Sequence, residues 1–287
     1  MNASGGTTAG LAPINGAELY CEAKGSGAPI VFLHAGVADA RMWDRQFEEF
    51  ARTNRVIRFD LRGFGRSGKS PGSYAHHADA AALLTHLGVE STHVVGASFG
   101  GAVAINLALA CPRMVASLVL AAPALGGYEF TSAQVQGFFA AEEEALARGD
   151  LEAAVEANLR MWVDGVGRHP SEVNQEVRAR VREMQLNTFS RPNVADAVET
   201  ELSPPAIDRL PSIAVPALLI VGDRDAAEFQ ALAALVAGRI PNARVAVVHG
   251  AAHLPSMENP GEFNSLVRET LAATPIGLTN CQSIDNL

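Results

Sequence analysis

The fold is decided by His93-Val94-Val95-Gly96-Ala97-Ser98-Phe99-Gly100-Gly101-Ala102-Val103. The run His93–Gly96 is apolar and β-branched, as a buried parallel strand requires, and Phe99–Ala110 has the composition of a buried helix. Between them lies Gly96-Ala97-Ser98-Phe99-Gly100, a G-x-S-x-G pattern in the strand-to-helix context that gives it meaning. Small residues on either side of such a turn let strand and helix approach. The turn then forces its serine into a strained backbone and projects the hydroxyl over the sheet edge, beside helix N–H groups that stabilise negative charge. The plainer reading is a strand-to-helix turn that happens to hold a serine. No charge occurs from Val94 to Pro112, a length that raises the question of a membrane helix. The glycines around Ser98, then Asn106 and Cys111-Pro112, fit a strand followed by a helix better.

Working outward, short apolar runs alternate with helical patterns, the sign of a mainly parallel sheet with helices on both faces. Strands are expected at 19–23, 30–33, 55–59, 93–96, 118–121, 217–221 and 244–248, with an Asn15-Gly16 hairpin turn at the sheet edge. Helices are expected at 40–52, 75–87, 99–110, 229–237 and 261–272. The last has Asn259 as cap, Pro260 in its first turn and Glu262 three residues after the cap. From Gly126 to Arg209 the alternation stops. Three helical patterns, near 132–148, 151–162 and 171–188, occupy that stretch with no strand, and Gly149-Asp150 ends one helix and caps the next. The expected organisation is an α/β core over 14–125 and 210–274, a helical cap over 126–209 lying across the strand ends, and terminal segments at 1–13 and 275–287.

The 287 residues carry 22 Lys+Arg against 31 Asp+Glu, a formal net charge of −9, which argues against nucleic acid or an acidic membrane as partner. Hydrophobic residues at 48% exclude wholesale disorder. Cys21, Cys111 and Cys281 are too scattered for a disulfide framework or a zinc site, which fits a reducing, cytoplasmic compartment. Residues 1–13 have neither the basic nor the apolar region of a signal peptide.

A serine nucleophile needs a base, and the base an orienting acid. With the chain order Ser, acid, His, only His249 and His253 of the eight histidines remain. His249 ends a strand, where a structural role is expected. His253 lies in the loop Gly250-Ala251-Ala252-His253-Leu254-Pro255, at the carboxyl end of the last strand, where a movable base belongs. The strand 217–221 opens into Gly222-Asp223-Arg224-Asp225, and either aspartate could be the acid; Asp225 has the longer reach.

On these motifs the chain from about Ile14 to Leu271 resembles the α/β-hydrolase superfamily, especially bacterial esterases and lactonases similar to 3-oxoadipate enol-lactonase. Leu33-His34-Ala35-Gly36 is similar to the family's oxyanion loop, with Ala35 where glycine is usual. Asp60-Leu61-Arg62-Gly63-Phe64-Gly65-Arg66-Ser67 resembles the loop after the next strand. The resemblance implies Ser98 as nucleophile, His253 as base, Asp225 rather than Asp223 as acid, and an oxyanion hole from the backbone N–H groups of Gly36 and Phe99, with His34 supporting the loop. It implies no cofactor and no metal. The partner it implies is a small-molecule carboxylic ester or lactone. Cleavage of carbon–carbon bonds by serine relatives, and a ligand receptor on the same scaffold, are the alternatives. Substrate contacts are expected from Leu125, Phe130, Phe138, Trp162 and Leu254, although most apolar cap residues are expected to hold the cap together. Arg160, if turned inward, would instead hold a carboxylate.

One motif points elsewhere. Gly63-Phe64-Gly65-Arg66-Ser67-Gly68-Lys69-Ser70 satisfies G-x-x-x-x-G-K-[ST], the phosphate-cradling loop. That loop must open a helix, and here Pro71-Gly72-Ser73 follows at once. His76-His77 is not spaced for a metal and is expected at an exposed loop or helix start.

Overall fold

The computed structural model describes residues 6–276. Its strands are β1 (Thr8–Ile14), β2 (Ala17–Lys24), β3 (Pro29–Leu33), β4 (Arg55–Phe59), β5 (Gly72–Tyr74), β6 (Thr92–Ala97), β7 (Val115–Ala121), β8 (Ala197–Glu199), β9 (Ala217–Gly222) and β10 (Ala243–Val248). Eight of them form one sheet in the order β1-β2-β4-β3-β6-β7-β9-β10. β2 runs antiparallel to β1 and β4, and all other neighbours are parallel.

Alternation along the central strands divides the interior. Val31, Leu33, Val94, Leu118, Leu120 and Leu219 face one cluster, which takes in Leu83 and Leu84 of α2 (His76–His86) and Ile105 and Leu107 of α3 (Phe99–Ala110). Ile30, Phe32, Val95, Val119, Leu218 and Ile220 face the other. There they meet Phe47 of α1 (Asp44–Phe50) and Phe263 at the C-terminal end of the chain. Both faces are buried, so the strands read as continuous apolar runs.

Between β7 and β9 lie α4 (Ala133–Ala147), α5 (Leu151–Leu159), a π-helical turn Arg160–Asp164, α6 (Gln175–Phe189) and the short α7 (Ala206–Arg209). The three longer helices are capped by Ser132, Asp150 and Asn174, each accepting from an amide of the first turn. Gly149 stands at φ +71°, ending one helix before Asp150 caps the next. Val135, Val155, Leu159, Val181 and Met184 join the second interior cluster, so this insert is packed onto the core. The described residues close with α8 (Ala227–Arg239), α9 (Pro255–Glu258) and α10 (Pro260–Ala273), the last capped by Asn259 on Glu262 N–H.

Three expectations are corrected. The segment 126–209 does contain a strand: β8 pairs in parallel with β5, each only three residues long. The hairpin expected at Asn15-Gly16 is present, both residues having positive φ, but its first strand takes in residues 8–13, expected as part of a terminal segment. Pro13 is tolerated there because β1 is an edge strand. His76 does start a helix, α2, as expected, but it is buried, at 4% exposure among Phe64, Tyr74 and Phe99. Cys281 and most of the expected C-terminal segment lie outside the described residues. Among those described, Cys21 and Cys111 are free thiols, and no helix is long and apolar enough to cross a membrane.

Candidate active site

Ser98 sits between β6 and α3 at φ 49°, ψ −113°, a backbone region that non-glycine residues seldom occupy. The flanking glycines explain how the strain is held. A Cβ on Gly96 would lie 2.3 Å from the Gly100 carbonyl oxygen, and one on Gly100 would lie 2.3 Å from the Leu33 carbonyl oxygen. Strand, helix and the neighbouring strand therefore meet at van der Waals limits that a methyl group would break. Ser98 N–H donates to Ala121 O at 2.8 Å, and Ser98 O accepts from Ala124 N–H at 2.9 Å, which ties the turn to the end of β7.

The structure brings three of the sequence-derived residues into one line. Ser98 Oγ lies 2.9 Å from His253 Nε2, and His253 Nδ1 lies 2.8 Å from Asp225 Oδ2. The second carboxylate oxygen of Asp225 accepts from Ala226 N–H at 2.8 Å. The side chains of His253 and Asp225 are each 1% exposed. Asp223 points elsewhere: it accepts from Gly250 N–H at 2.8 Å and lies 3.4 Å from the ring of His249, whose side chain is 78% exposed. Those bonds hold the Asp223 carboxyl below its usual value against the opposing effect of burial.

The loop after β3 meets the start of α3. A Cβ on Gly36 would lie 3.5 Å from Phe99 Cβ, and among the described residues no hydrogen bond takes the N–H of Gly36 or of Phe99. His34 braces this loop: its Nε2 accepts from Leu61 N–H at 2.9 Å, which leaves Nδ1 to donate to Ala35 O at 2.8 Å. Burial pushes the His34 ring toward its neutral form, as both bonds require. Met42 Sδ accepts Ala35 N–H at 3.2 Å.

Aromatic groups enclose the imidazole. Trp162 packs against it at a tilt of 43° with centroids 4.3 Å apart, and Phe229 of α8 packs edge-on at 4.6 Å. Trp162 Nε1–H donates to Asn158 Oδ1 at 2.8 Å, and Asn158 Nδ2 reaches Glu142 at 2.9 Å, so α4 and α5 aim the indole. Phe130 stands against Phe229 at 4.9 Å. The remaining expected wall residues divide. Leu125 borders a lateral cavity of about 150 Å³ beside Phe99, and Phe138 is partly buried against the second interior cluster. Leu254 is fully buried within that cluster, so it supports the histidine loop as core. Sequence reasoning missed Phe229 and Asn158. The Asn158-to-Trp162 spacing of four was the available sign for the second. Arg160 pairs with Asp164 at 3.4 Å and is 43% exposed.

The phosphate-loop motif has no helix after it: Gly72–Tyr74 is strand β5, and Lys69 Nζ lies over the Tyr74 ring. Among the described residues no group of three or more His, Cys, Asp or Glu is placed to hold a metal ion.

A mainly parallel sheet with its polar side chains gathered on the loops at the carboxyl ends of β3, β6, β9 and β10 defines an α/β protein whose site lies at that edge. The sequence profile of the alpha/beta hydrolase fold matches residues 28–260, and the chain belongs to that family. RutD of Azorhizobium caulinodans, named as a presumed carbamate hydrolase, is 34% identical over 256 residues, covering 88% of this chain and 94% of the relative. Among solved structures, the enol-lactonase of Burkholderia xenovorans is 25% identical with a TM-score of 0.74, covering 92% of this chain and 100% of that one. Est816, described as an N-acyl homoserine lactone degrading enzyme, is 28% identical with a TM-score of 0.72 over 91% of this chain and 99% of its own.

Proposed function

We propose that this protein is a serine hydrolase that cleaves a small-molecule carboxylic ester or lactone through an acyl-enzyme. The observation that carries the reading is the hydrogen-bonded line Ser98–His253–Asp225, begun at a strained turn over a helix N-terminus. His253 accepts the Ser98 proton as Oγ adds to the carbonyl carbon, and Asp225 keeps the proton of Nδ1 in place and balances the imidazolium. The developing oxyanion faces the free N–H groups of Gly36 and Phe99. His253 then protonates the leaving alcohol, and in the second half it takes a proton from water as the acyl group is released. Residues 126–209 act as a cap, placing Trp162 over the base.

The aromatic surroundings favour uncharged acyl or aryl groups, and Arg160 is engaged by Asp164 instead of being free for a carboxylate. Neutral short-to-medium esters and lactones are therefore expected to give higher kcat/KM than carboxylate-bearing analogues. A marked preference for the charged lactone, lost in Arg160→Ala, would reverse this. Carbamates are the second reading, supported by the 34% identical relative, and belong in the same panel. The test is that ester, lactone and carbamate panel with Ser98→Ala as control, beside a fluorophosphonate probe. Labelling at Ser98 with turnover lost in the alanine variant is expected. Labelling elsewhere, or full turnover by Ser98→Ala, overturns the reading, and labelling without turnover of any panel member points to a receptor.

A further inference from the structure

The segment leaving the π-helical turn of the insert runs back across the loops that carry the acid and the base. Gly165, at φ +73°, fits so tightly that a Cβ there would lie 2.6 Å from Arg224 O and 2.7 Å from Ala252 Cβ. Val166 N–H donates to Arg224 O at 3.1 Å. Arg168 then gathers its own turn and the histidine loop: its guanidinium donates to Asp164 O at 2.5 Å, Val163 O at 3.0 Å and Gly250 O at 2.9 Å. It also pairs with Glu258 Oε2 at 3.1 Å, the two side chains being 17% and 7% exposed. Glu258 in turn accepts from Ala252 N–H at 3.0 Å and from Leu254 N–H at 3.2 Å, the amides on either side of His253.

We propose that Arg168 and Glu258 are positioning residues, which fix the backbone on both sides of His253 and tie it to the helical insert. The inference rests on His253 being the base. A base must hold Nε2 on the serine while Nδ1 stays on the aspartate, and a misplacement of about 1 Å can cost on the order of 100-fold in rate. One carboxylate accepting both flanking amides fixes the two peptide planes together. The Arg168 charge favours the ionised form of that carboxylate. Burial pushes Glu258 above the usual carboxylate range, and the amide bonds and the Arg168 charge oppose it. The other titratable and charged groups around the loop are His253 itself, Asp225 bonded to it, the Asp223–His249 pair at Gly250, Arg224 beside Asp223, and Glu262, which accepts from His249 N–H at 3.3 Å.

A pair that serves only stability and a pair that positions the base differ in what its variants do to the pH profile. Arg168→Met leaves a negative charge near His253, or lets Glu258 protonate and loosen the amides; either moves the acid limb of kcat to higher pH. Glu258→Gln leaves a positive charge and moves the limb to lower pH. The double variant is neutral and returns it. Shifts on the order of half a pH unit are expected from one unbalanced, partly screened charge. The experiment measures kcat and KM for p-nitrophenyl butyrate from mildly acidic to mildly basic pH. Active sites are counted by the fluorophosphonate probe, and Tm is recorded for each protein. In Arg168→Met, kcat is expected to fall about 10- to 100-fold with KM nearly unchanged, with partial recovery in Arg168→Lys. Unchanged kcat per active site with only a lower Tm, or limbs that do not move in opposite directions, overturns the proposal. If Arg168→Met does not fold, the direction of the Glu258→Gln limb decides. Should the wild-type protein neither label at Ser98 nor turn over the ester, the fault lies with the assignment of the base.

Discussion

Asp225→Asn is the substitution that most directly separates the two aspartates of the β9 loop. Asp225 uses both oxygens: one accepts from Ala226 N–H at 2.8 Å, the other from His253 Nδ1 at 2.8 Å. Asparagine has a single acceptor, and the Ala226 amide can only donate, so the carboxamide oxygen stays there and the NH2 group faces the imidazole. Two donors cannot face each other, and the ring answers by carrying its proton on Nε2. The nitrogen that should accept from Ser98 then has no lone pair to offer. Loss of a triad acid's charge with its shape kept lowers kcat on the order of 10⁴-fold in a serine protease, about 5 kcal/mol of barrier. The same scale is expected here, with little change in Tm because each site atom keeps a partner. Asp223→Asn keeps an acceptor for Gly250 N–H and loses the 3.4 Å contact to an exposed His249 and the 3.7 Å ion pair with an exposed Arg224. Its kcat is expected within about 3-fold of wild type, as for a weak exposed pair. Steady-state hydrolysis of p-nitrophenyl butyrate, with Tm for each variant, is the assay. If Asp223→Asn is the far more damaging change in kcat, the tautomer argument and the assignment of the acid are both wrong.

Gly100→Ala places a methyl group 2.3 Å from Leu33 O, against backbone that cannot move alone, so stability is expected to fall by about 1–3 kcal/mol or more, read as Tm. Lys69→Ala is expected to leave ester turnover near wild type, and equilibrium dialysis is expected to find no ATP binding; ATP bound by the wild type and lost in this variant would restore the phosphate-loop reading. Burial lowers the rings of His76 and His93 to about 4. Below pH 6.5 the unfolded chain therefore binds protons that the native state excludes, and stability falls from there to about pH 4, by up to roughly 3 kcal/mol for each histidine. Tm measured across that window is expected to drop less steeply in His93→Gln, and an unchanged slope would remove His93 from the account.

What could be read from the chain, and what could not, follows the range of the interactions involved. Ser98 was legible because the turn that holds it is local: Gly96 and Gly100 are demanded by contacts within a few residues and one neighbouring strand. Asn259 was legible as a cap for the same reason. The paired aspartates were not separable by residue type, since both follow β9 within three positions; only the path of the turn sends one toward His253 and the other toward Gly250. β5 and β8 escaped because three residues give no alternation to read, and their partners are distant in sequence. The turn of the edge hairpin was legible at Asn15-Gly16, but the extent of β1 was not, because Ala9, Gly10, Ala12 and Pro13 carry little of the β-branched signal, and an edge strand needs less of it. Leu254 looked like a pocket wall from its place beside His253, yet its side chain is buried in the second interior cluster together with Ala251 of the same loop.

The placement of Trp162 has a different origin from that of the line of polar groups it covers. Ser98, Asp225 and His253 stand on loops of one sheet, so strand register alone brings them to the same edge. Phe229 shares that origin, because it enters four residues after Asp225 on the helix the same loop begins. Trp162 does not. Its position needs the π-helical turn that rotates it out of the α5 repeat, the Asn158 acceptor that fixes the indole, Glu142 behind Asn158, and the Arg178–Asp164 pair at 3.0 Å that anchors the turn's end. One face of the imidazole is thus set by the sheet and the other by the insert. Rearranging the insert would change what packs on His253 without moving the strands that align Ser98 and Asp225. In the reading proposed above, the insert is accordingly the element that sets both the shape of the substrate site and one face of His253.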